Sequence, residues 1–451
     1  MARLAIVDQT VSAGGVERFL HGLVGGMLDI PEGKAWDITL LLNPYNSGGY
    51  QVRWPDHLTA PNLTVRYLGD DSLGRFMNRR SRGKRICGIP GTSLAQGGVP
   101  WLLRRYGTAW LQTRAGNYRL LIEQYCIRER FDVVYFSWPY MMDCPSLPMP
   151  MVATPHDLNF KHEFTSNGCT NLAPRARAQH ERQMPGWLHS CHRIVVSSDF
   201  MAAELHHFYP ECEARIRVVR LGIPAVAKTP TPQDLESCRT RLGLPKRFLL
   251  TAGWIIPHKN QMVIFKALGR LRQEGMDIPL VCVGPNSDLL QPARRRRAVG
   301  YFREVLKAAQ DLNLQYGRDF FGLGYVTDVD LECLYRLAQA LVLPSLYEAG
   351  SFPLIEAVRA GCPVACSSIP SHAEQAGLLG GNVWLFDPHD PANLADVIRE
   401  MLVHPEDTGD RAAQAAELVG KAYSWQKAAE GYLSVFSEAM QTDVQTAGGK
   451  R

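Results

Sequence analysis

The sequence lacks the features that mark several common classes of protein. It contains no run approaching the roughly 20 consecutive apolar residues that cross a bilayer. Its 11 cysteines include no CxxC pair, which argues against a zinc site and favours buried, reduced thiols in a cytosolic protein. No G-x-G-x-x-G follows an early strand, so an NAD-linked Rossmann enzyme is disfavoured. These absences leave an ordinary globular protein as the starting expectation.

The net charge and the N-terminal residues indicate the protein's partners and its location in the cell. The formal net charge of +5 is modest and does not require a nucleic-acid partner. The chain opens on a strand-like apolar run, Leu4 to Val7, which is too short for a signal peptide and lacks its cleavage region. We therefore expect a cytoplasmic protein that contacts a membrane, if at all, from the surface of its inner face.

Short apolar runs alternate with helical patterns along almost the whole chain, which indicates parallel, doubly wound α/β sheets. The 451 residues exceed the roughly 250–300 that one core supports, so two domains are expected. We place the first at residues 1–225 and the second at 240–415, with a polar, proline-containing linker between them. The segment 416–440 ends in a predicted helix from Trp425 to Met440, and a polar, disordered tail is predicted at 441–451. Strands are predicted at 4–7, 37–42, 63–68, 131–136, 151–153 and 193–196, and then at 248–252, 280–283, 320–323, 340–343, 364–366 and 383–386.

One segment, residues 75–119, departs from this alternation. It is rich in arginine, glycine and apolar residues, and it includes the basic run 79–85 together with Trp101 and Trp110. Two interpretations remain open. The segment is either a solvated surface insertion or an acceptor- or membrane-facing loop, in which cations pair with lipid phosphates and tryptophans lie at the interface. The four arginines at 294–297 form a second basic spot with the same two interpretations.

The richest candidate site follows the predicted strand 340–343. A loop of small residues leads there into a helix near Phe352 or Pro353, and two glutamates, Glu348 and Glu356, bracket the helix start. Such a loop presents backbone N–H groups at the carboxyl edge of a sheet, where open α/β sheets bind ligands and helix N-termini attract phosphate. Carboxylates in this position accept hydrogen bonds from vicinal hydroxyls. The pattern therefore favours a ligand that carries both phosphate and sugar.

Glu348, seven intervening residues, Glu356 and the later run Ala-Gly-Cys-Pro-Val at 360–364 together resemble the signature of the family-four retaining glycosyltransferases. The resemblance implies the GT-B fold, with two Rossmann-like doubly wound domains, an interdomain cleft, and an acceptor site on the first domain. It also implies that Glu348 binds hydroxyls of the donor sugar and that Glu356 binds the nucleotide ribose. The donor-binding loop would comprise Gly350, Ser351, Phe352, Pro353 and Leu354, with the donor held by backbone amides.

A second match follows the predicted strand 248–252. Residues 253–259 resemble the family's Gly-Arg-x-x-x-x-Lys segment, whose arginine and lysine neutralise the donor diphosphate. Gly253 and Lys259 match this segment, whereas Trp254 occupies the position of the arginine. A lysine just before a helix is unfavourable for the helix dipole, so its presence there favours an anionic ligand. Lys259 would act where negative charge grows on the leaving diphosphate.

Two further matches lie in the first domain. His156 and Asp157 resemble the family's His-Asp segment, which implies that His156 contacts the donor sugar and phosphate near the reacting carbon. Asp157 would orient His156 or cap the turn that follows, and a purely structural histidine is the alternative. Gly14 and Gly15 resemble the family's first loop, where glycines let the backbone approach the donor diphosphate or the acceptor.

Looser matches complete the predicted site. Gly284 ends the predicted strand 280–283, and Tyr325 lies in a loop that the resemblance assigns to the nucleobase. The last helix crosses back to the first domain in relatives. Asp328 and Asp330 have the spacing of a metal-binding pair in the other common glycosyltransferase fold, but we favour the interpretation that one of them caps a helix from Leu331. We predict no metal and no cofactor, because Lys259 and backbone amides would hold the diphosphate.

The resemblance implies transfer with retention at the anomeric carbon. No nucleophilic carboxylate is obvious on the first domain, so we favour a front-face mechanism in which Glu348, Lys259 and His156 stabilise charge and geometry. The predicted reaction moves a hexose-type sugar from a nucleotide-diphosphate donor to a glycan or lipid-linked acceptor, in surface polysaccharide or glycoconjugate biosynthesis. The alternatives are an epimerase or phosphorylase on the same fold, or a catalytically silent sugar-nucleotide-binding protein, which Trp254 supports.

Overall fold

A computed structural model describes residues 1–8, 15–43, 54–68, 119–139, 142–166, 169–170, 174–223 and 229–448. The chain divides into two compact units. The first comprises Met1–Lys161, Leu172–Gly222 and Trp425–Arg451, and the second comprises His162–Asn171 and Ile223–Ser424. The basic run 79–85, Trp101, Trp110 and Gly14 lie outside the described residues.

The first unit contains a seven-stranded sheet in the order β3-β2-β1-β4-β5-β8-β9, and every pair in it is parallel. Its strands are β1 (Ala2–Asp8), β2 (Trp36–Leu42), β3 (Leu63–Tyr67), β4 (Val133–Phe136), β5 (Met151–Ala153), β8 (Arg193–Val196) and β9 (Ile216–Val218). The α-helices of this unit are Gly15–Asp29, residues 119–129, Pro174–Ser190, Asp199–Phe208 and Trp425–Gly448. Strands covered on both faces are apolar along their whole length, which is why β1 and β2 could be recognised in the sequence.

The second unit contains a six-stranded parallel sheet in the order β12-β11-β10-β13-β14-β15. Its strands are β10 (Leu249–Ala252), β11 (Leu280–Val283), β12 (Phe320–Gly324), β13 (Ala340–Leu343), β14 (Val364–Ser367) and β15 (Trp384–Phe386). Its α-helices are Pro232–Leu242, Gln261–Gln273, Tyr301–Asp311, Asp328–Leu337, Phe352–Arg359, Pro370–Leu378, Pro391–Val403 and Pro405–Ala422. A short antiparallel pair, β6 (Thr165–Ser166) and β7 (Cys169–Thr170), also belongs to this unit.

The segment His162–Asn171 belongs to the second unit, although the sequence placed it inside the first domain. Ring contacts account for this. The His162 ring lies 4.7 Å from that of Tyr347, and the Phe164 ring lies 6.1 Å from those of Tyr347 and His258. Such contacts between residues far apart in sequence leave no trace in local patterns.

The last helix packs on the first unit because small residues make room for its first side chain. A Cβ atom placed on Gly22 or Gly222 would lie only 2.0 or 2.3 Å from side-chain atoms of Trp425. Further along, the ring of Tyr432 lies 5.4 Å from that of Tyr135 on β4. These contacts fix the helix Trp425–Gly448 on this unit.

This helix also extends beyond its predicted end at Met440, where the sequence suggested a disordered tail. It continues to Gly448. Residues 441–447 contain neither glycine nor proline, so no residue stops the helix before that point. Their polarity indicated exposure, which a helix tolerates. Within the described ranges, no helix is both long and apolar enough to cross a membrane.

Candidate functional site

The strand order of the second unit reverses between β10 and β13, which are neighbours in the sheet. The chain moves outward from β10 through β11 to β12 and then returns to the other side of β10 as β13. In open parallel sheets, ligands bind outside the carboxyl ends of the strands at such a reversal, because the loops diverge there and leave a crevice. The loops after β10 and β13 carry the predicted residues Lys259 and Glu348, respectively.

Lys259 and Glu348 form an ion pair between these two loops. Lys259 is the last residue of a 3-10 helix, Pro257–Lys259, and its ammonium group contacts Oε1 of Glu348. The hydroxyl of Ser345 donates to the same oxygen at 2.6 Å. The backbones are also joined, because the amide of Leu346 donates to the carbonyl of His258 at 2.7 Å. The loops therefore hold one cation and one anion side by side.

The surroundings of Glu348 keep its carboxylate ionised. Burial alone would raise the pKa of Glu348, but the Lys259 ammonium, His372 and the hydrogen bonds from Lys259 and Ser345 together lower it below its ordinary value. The side chain of Glu348 is 13% exposed and that of Lys259 is 23% exposed, so both remain accessible at the sheet edge. An incoming ligand thus meets an acceptor and a cation in one place.

Three neighbouring strands of the second unit end in glycines whose backbone comes close together. Gly253, Gly284 and Gly324 follow or end β10, β11 and β12, and all three have positive φ angles. The amide of Gly284 donates to the carbonyl of Gly324 at 2.9 Å. A Cβ atom on Gly284 would lie 2.5 Å from the carbonyl oxygen of Gly253. This edge is therefore bare backbone, and the adjoining Tyr325 is 71% exposed.

The predicted donor-binding loop leads into the helix Phe352–Arg359, with Ser351 in the N-cap position. The amide of Ser351 donates to Oε1 of Gln375 at 3.0 Å, and Nε2 of Gln375 donates to the Ser351 carbonyl at 3.3 Å. The Ser351 amide is therefore engaged within the protein, and Pro353 has no N–H to offer. This arrangement moves the candidate amide donors for a ligand to Gly350 and Leu354.

Glu356 lies one turn into the same helix and is 5% exposed. Its Oε2 accepts a hydrogen bond from the hydroxyl of Tyr335 at 3.1 Å. Tyr335 belongs to the helix Asp328–Leu337 and was not recognised from the sequence, because a lone tyrosine in an amphipathic helix carries no distinctive pattern.

Ser367 and His372 support the Glu348 loop; Ser367 was noted in the sequence as the residue that follows the strand at Val364, whereas His372 was not recognised. The hydroxyl of Ser367 donates to the carbonyl of Ser345 at 2.6 Å, and Nδ1 of His372 lies 3.1 Å from that hydroxyl oxygen and 3.2 Å from the Ser367 carbonyl. Since the Ser367 hydroxyl has one proton and gives it to Ser345, Nδ1 of His372 must donate. His372 is fully buried, and burial lowers its pKa to about 4, so the ring is neutral at pH 7.

The pH dependence of stability follows from this buried histidine. Unfolded His372 takes up a proton near pH 6.5, whereas the folded protein does so only near pH 4, so the unfolded state holds more protons between these values. Stability therefore rises with pH across this window and is lost as the pH falls from 6.5 toward 4. At pH 5, this histidine alone is expected to lower the free energy of unfolding by about 2 kcal/mol relative to pH 8.

Urea unfolding of the wild type and of His372→Asn between pH 8 and pH 5 measures the contribution of His372 to this loss of stability. Asparagine keeps a donor near the position of Nδ1 but does not titrate, so the variant should lose about 2 kcal/mol less than the wild type. Burial also lowers the pKa values of His156 and His258 to about 4, but both residues are present in both proteins. Equal losses of stability would contradict the assignment.

His156 lies in the first unit, just after β5. Its Nε2 donates to the carbonyl of Ser137 at 2.8 Å, and its ring stacks on Trp138 with centroids 5.5 Å apart. Burial lowers the pKa of His156 to about 4, so the ring is neutral at pH 7. Because Nε2 carries the proton, Nδ1 is an acceptor, which suits a hydroxyl group better than a phosphate.

Other polar groups surround the reversal of strand order in the first unit, between β1 and β4. Asp8, at the end of β1, is 6% exposed and accepts from the hydroxyl of Ser137 at 3.0 Å. Asp157 accepts from the amide of Asn159 at 3.0 Å and so caps a 3-10 helix, Asn159–Lys161, one of the two roles expected for it. Gly15 is the first residue of the helix Gly15–Asp29.

The interpretation of Asp328 and Asp330 as caps was wrong. The helix runs from Asp328 to Leu337, and Thr327 caps it by accepting from the amide of Asp330 at 3.1 Å. Asp330 instead forms an ion pair with Arg241. Across the part of the chain that the structure describes, no group of three or more His, Cys, Asp or Glu side chains is placed to hold a metal ion.

Two doubly wound units, one of which has an ion pair and a helix start at its strand reversal, define a protein of the doubly wound α/β class. Comparison with known families narrows this class. Residues 236–418 match the model of glycosyl transferases group 1, and residues 87–225 match that of glycosyltransferase family 4. The chain belongs to the family-four, or group 1, glycosyltransferases.

Individual relatives are distant. The chain is 29% identical over 65% of its length to a D-inositol 3-phosphate glycosyltransferase from Salinispora arenicola (strain CNS-205), of which it spans only 64%. It is 27% identical over 68% of its length to the O-antigen chain mannosyltransferase B of Escherichia coli, of which it spans 76%. Anabaena HepE in complex with UDP and glucose superposes with a TM-score of 0.64 at 15% identity, covering 97% of this chain and 100% of that one. This likeness shows the fold, GT-B.

Proposed function

We propose that the protein is a retaining glycosyltransferase that moves a hexose-type sugar from a nucleoside-diphosphate donor to a glycan or lipid-linked acceptor. The observation that carries this proposal is the Lys259–Glu348 pair at the strand reversal of the second unit, beside the start of the helix Phe352–Arg359. An ammonium group and helix-start amides suit a diphosphate, and a carboxylate suits sugar hydroxyls. A sugar joined to a diphosphate needs both kinds of group at one place.

Each end of the donor finds a matching group in this scheme. Lys259 and the amides of Gly350 and Leu354 hold the diphosphate, and Glu348 accepts from hydroxyls of the sugar. Glu356, whose carboxylate is already oriented by Tyr335, accepts from the ribose hydroxyls. Gly253, Gly284 and Tyr325 line the edge toward the base, where bare backbone admits a planar ring. The donor then needs neither a metal ion nor a resident cofactor.

The Lys259–Glu348 pair also gives the order of events on binding. Without a donor, the ammonium group is neutralised by Glu348. When the diphosphate arrives, Lys259 shares its three N–H donors between the phosphate and the carboxylate, and Glu348 keeps its remaining acceptor positions for the sugar. Trp254 stands at the place of the family's arginine, so Lys259 takes a larger share of the phosphate charge here.

For the chemistry we propose a front-face mechanism. The bond from the anomeric carbon to the donor phosphate oxygen breaks as the acceptor hydroxyl adds to the same face, and that hydroxyl's proton passes to the leaving phosphate. Negative charge grows on the diphosphate at that moment, and Lys259 with the loop amides stabilises it. His156, neutral and with Nδ1 as an acceptor, receives a hydrogen bond from a sugar hydroxyl.

The acceptor class is proposed from the names of the relatives. Relatives named for O-antigen chain synthesis and for D-inositol 3-phosphate both act on carbohydrate or polyol hydroxyls. A glycan or lipid-linked acceptor in surface polysaccharide assembly fits the relative named for O-antigen chain synthesis. Contact with an anionic membrane from the inner face would come from the basic run 79–85, which lies outside the described residues.

A donor screen tests the proposal. Uridine- and guanosine-diphosphate sugars are each incubated with the protein, and melting temperature and nucleotide release are measured. We expect at least one donor to raise the melting temperature and to release nucleotide, and the product to keep the anomeric configuration by proton NMR. Inversion would contradict the mechanism, and failure of every donor to bind would contradict the site. Tight binding without turnover of any donor would favour the silent sugar-nucleotide-binding protein.

A further inference from the structure

The loop at residues 345–351, which carries Glu348, is held at one end by the last residue of β14 and at the other end by the helix that follows this strand. At the first end, the Ser367 hydroxyl donates to the Ser345 carbonyl at 2.6 Å. At the second end, the amide side chain of Gln375 bonds to Ser351. The helix Pro370–Leu378, which contains Gln375, therefore supports the loop that the proposed function makes central.

Gln375 forms two hydrogen bonds with the backbone of Ser351. The Gln375 oxygen accepts from the Ser351 amide at 3.0 Å, and its nitrogen donates to the Ser351 carbonyl at 3.3 Å. One planar side chain thus fixes the peptide groups before and after a single residue. Gln375 is 5% exposed and Ser351 is 3% exposed, so water does not compete for these bonds. The Ser351 carbonyl also accepts from the Ile355 amide at 3.4 Å, so losing Gln375 removes the partner of the buried Ser351 amide in particular.

Ser351 has a special place, because it is the N-cap of the helix Phe352–Arg359. Within the described range 229–448, its own hydroxyl makes no capping bond to this helix. A serine N-cap ordinarily orients the first turn through its side chain. Here the orientation of the first turn comes instead from Gln375, acting on the Ser351 backbone.

We propose that Gln375 is a positioning residue for glycosyl transfer. By holding the peptide groups on either side of Ser351, it orients the adjoining backbone, and with it the amides of Gly350 and Leu354, toward the donor diphosphate without touching the donor. This inference rests on the proposed function, since it assumes that a diphosphate binds there. Preorganised amides contribute most where charge develops, so misaligning them should reduce kcat more than it weakens donor binding.

The test compares Gln375→Met with the wild type. Methionine has nearly the same length and volume but forms neither bond. We expect kcat to fall about 10- to 100-fold while KM for the donor changes by less than about threefold. Gln414→Met, at an exposed glutamine of the helix Pro405–Ala422, is the matched control and should retain wild-type kinetics. Wild-type kcat for Gln375→Met in a folded protein would overturn the inference.

A second variant separates hydrogen bonding from packing. In Gln375→Glu, the protonated carboxyl group offers the same acceptor and one donor, whereas the ionised form offers no donor. Its kcat relative to the wild type should therefore recover as the pH falls from 8 to 6, and that of Gln375→Met should not. A parallel, pH-independent deficit in both variants would reduce Gln375 to a packing role.

Hydrogen–deuterium exchange keeps this inference distinct from the proposed function. If no donor binds the wild type, the proposed function fails, but the hold of Gln375 on the loop is still measurable. Amides in the segment 345–356 should exchange at least about tenfold faster in Gln375→Met than in the wild type, because a buried bond is lost. Unchanged exchange there would overturn the positioning role whatever the donor screen shows.

Discussion

Lys259→Ala is expected to reduce kcat/KM about 10²- to 10³-fold, the largest effect of any single substitution proposed for this protein. Lys259 is the cation beside the developing charge of the leaving diphosphate, and Trp254 occupies the position where the family has a second one. The substitution also leaves the carboxylate of Glu348, 13% exposed, without its ammonium partner, while the Ser345 hydroxyl still donates to it. Initial-rate measurements with the best donor from the screen quantify the loss.

The double variant Lys259→Ala/Glu348→Gln separates the loss of function from the loss of stability. Removing Lys259 alone should lower the melting temperature, because an ionised carboxylate is left unpaired. Adding Glu348→Gln removes that charge, so stability should recover while activity stays low. Lys266→Ala, at an exposed lysine of the helix Gln261–Gln273, is the control for losing a positive charge. Wild-type activity in Lys259→Ala would contradict the proposed assignment of the diphosphate site.

Much of the site's framework could be predicted because its signals are local. The strands β10 and β13 are short apolar runs followed by loops, and a parallel sheet places the ends of both at one edge. That is enough to bring Lys259 and Glu348 together once the strand order is known. The helix start at Phe352 was visible for the same reason, since proline after a small-residue loop is a local signal.

The supporting residues could not be predicted, because their roles depend on contacts between distant segments. Gln375 and His372 lie in a nine-residue helix with no motif. Gln375 bonds to Ser351, 24 residues earlier, and His372 acts through Ser367, whose hydroxyl bonds to Ser345, 22 residues before it. The capping of the helix at Asp328 is different. Thr327 followed three residues later by an acidic residue is a known start pattern, so the error there was avoidable.

Gly284→Ala is expected to have the largest effect on stability among the substitutions considered. The φ angle of Gly284 is 123°, a region that residues with a side chain rarely adopt. The new Cβ would also lie 2.5 Å from the carbonyl oxygen of Gly253 and 2.8 Å from its carbonyl carbon, and backbone atoms cannot rotate away. Strain and clash together should cost about 2–4 kcal/mol, or a melting temperature about 5–15 °C lower.

Gly409→Ala is the matched control. Gly409 lies in the helix Pro405–Ala422, and no atom comes within 4 Å of a Cβ placed there, among the residues that the structure describes. Alanine at that position should stabilise the protein by about 0.5–1 kcal/mol, because it favours the helix more than glycine does. An equal melting temperature for Gly284→Ala and the wild type would show that the strand edge is looser than its geometry indicates.

Gly284→Ala also tests whether the edge of the sheet positions the proposed donor site. Relieving the clash at Gly284 requires the backbones of Gly284 and Gly253 to move apart, and Gly253 begins the loop that ends in Lys259. Gly284→Ala should therefore weaken donor binding by more than the loss of stability explains, even at temperatures where the protein is fully folded. Isothermal titration with the donor or its nucleoside diphosphate measures this directly. Unchanged affinity in the folded variant would mean that the loop carrying Lys259 is positioned independently of the sheet edge beneath it.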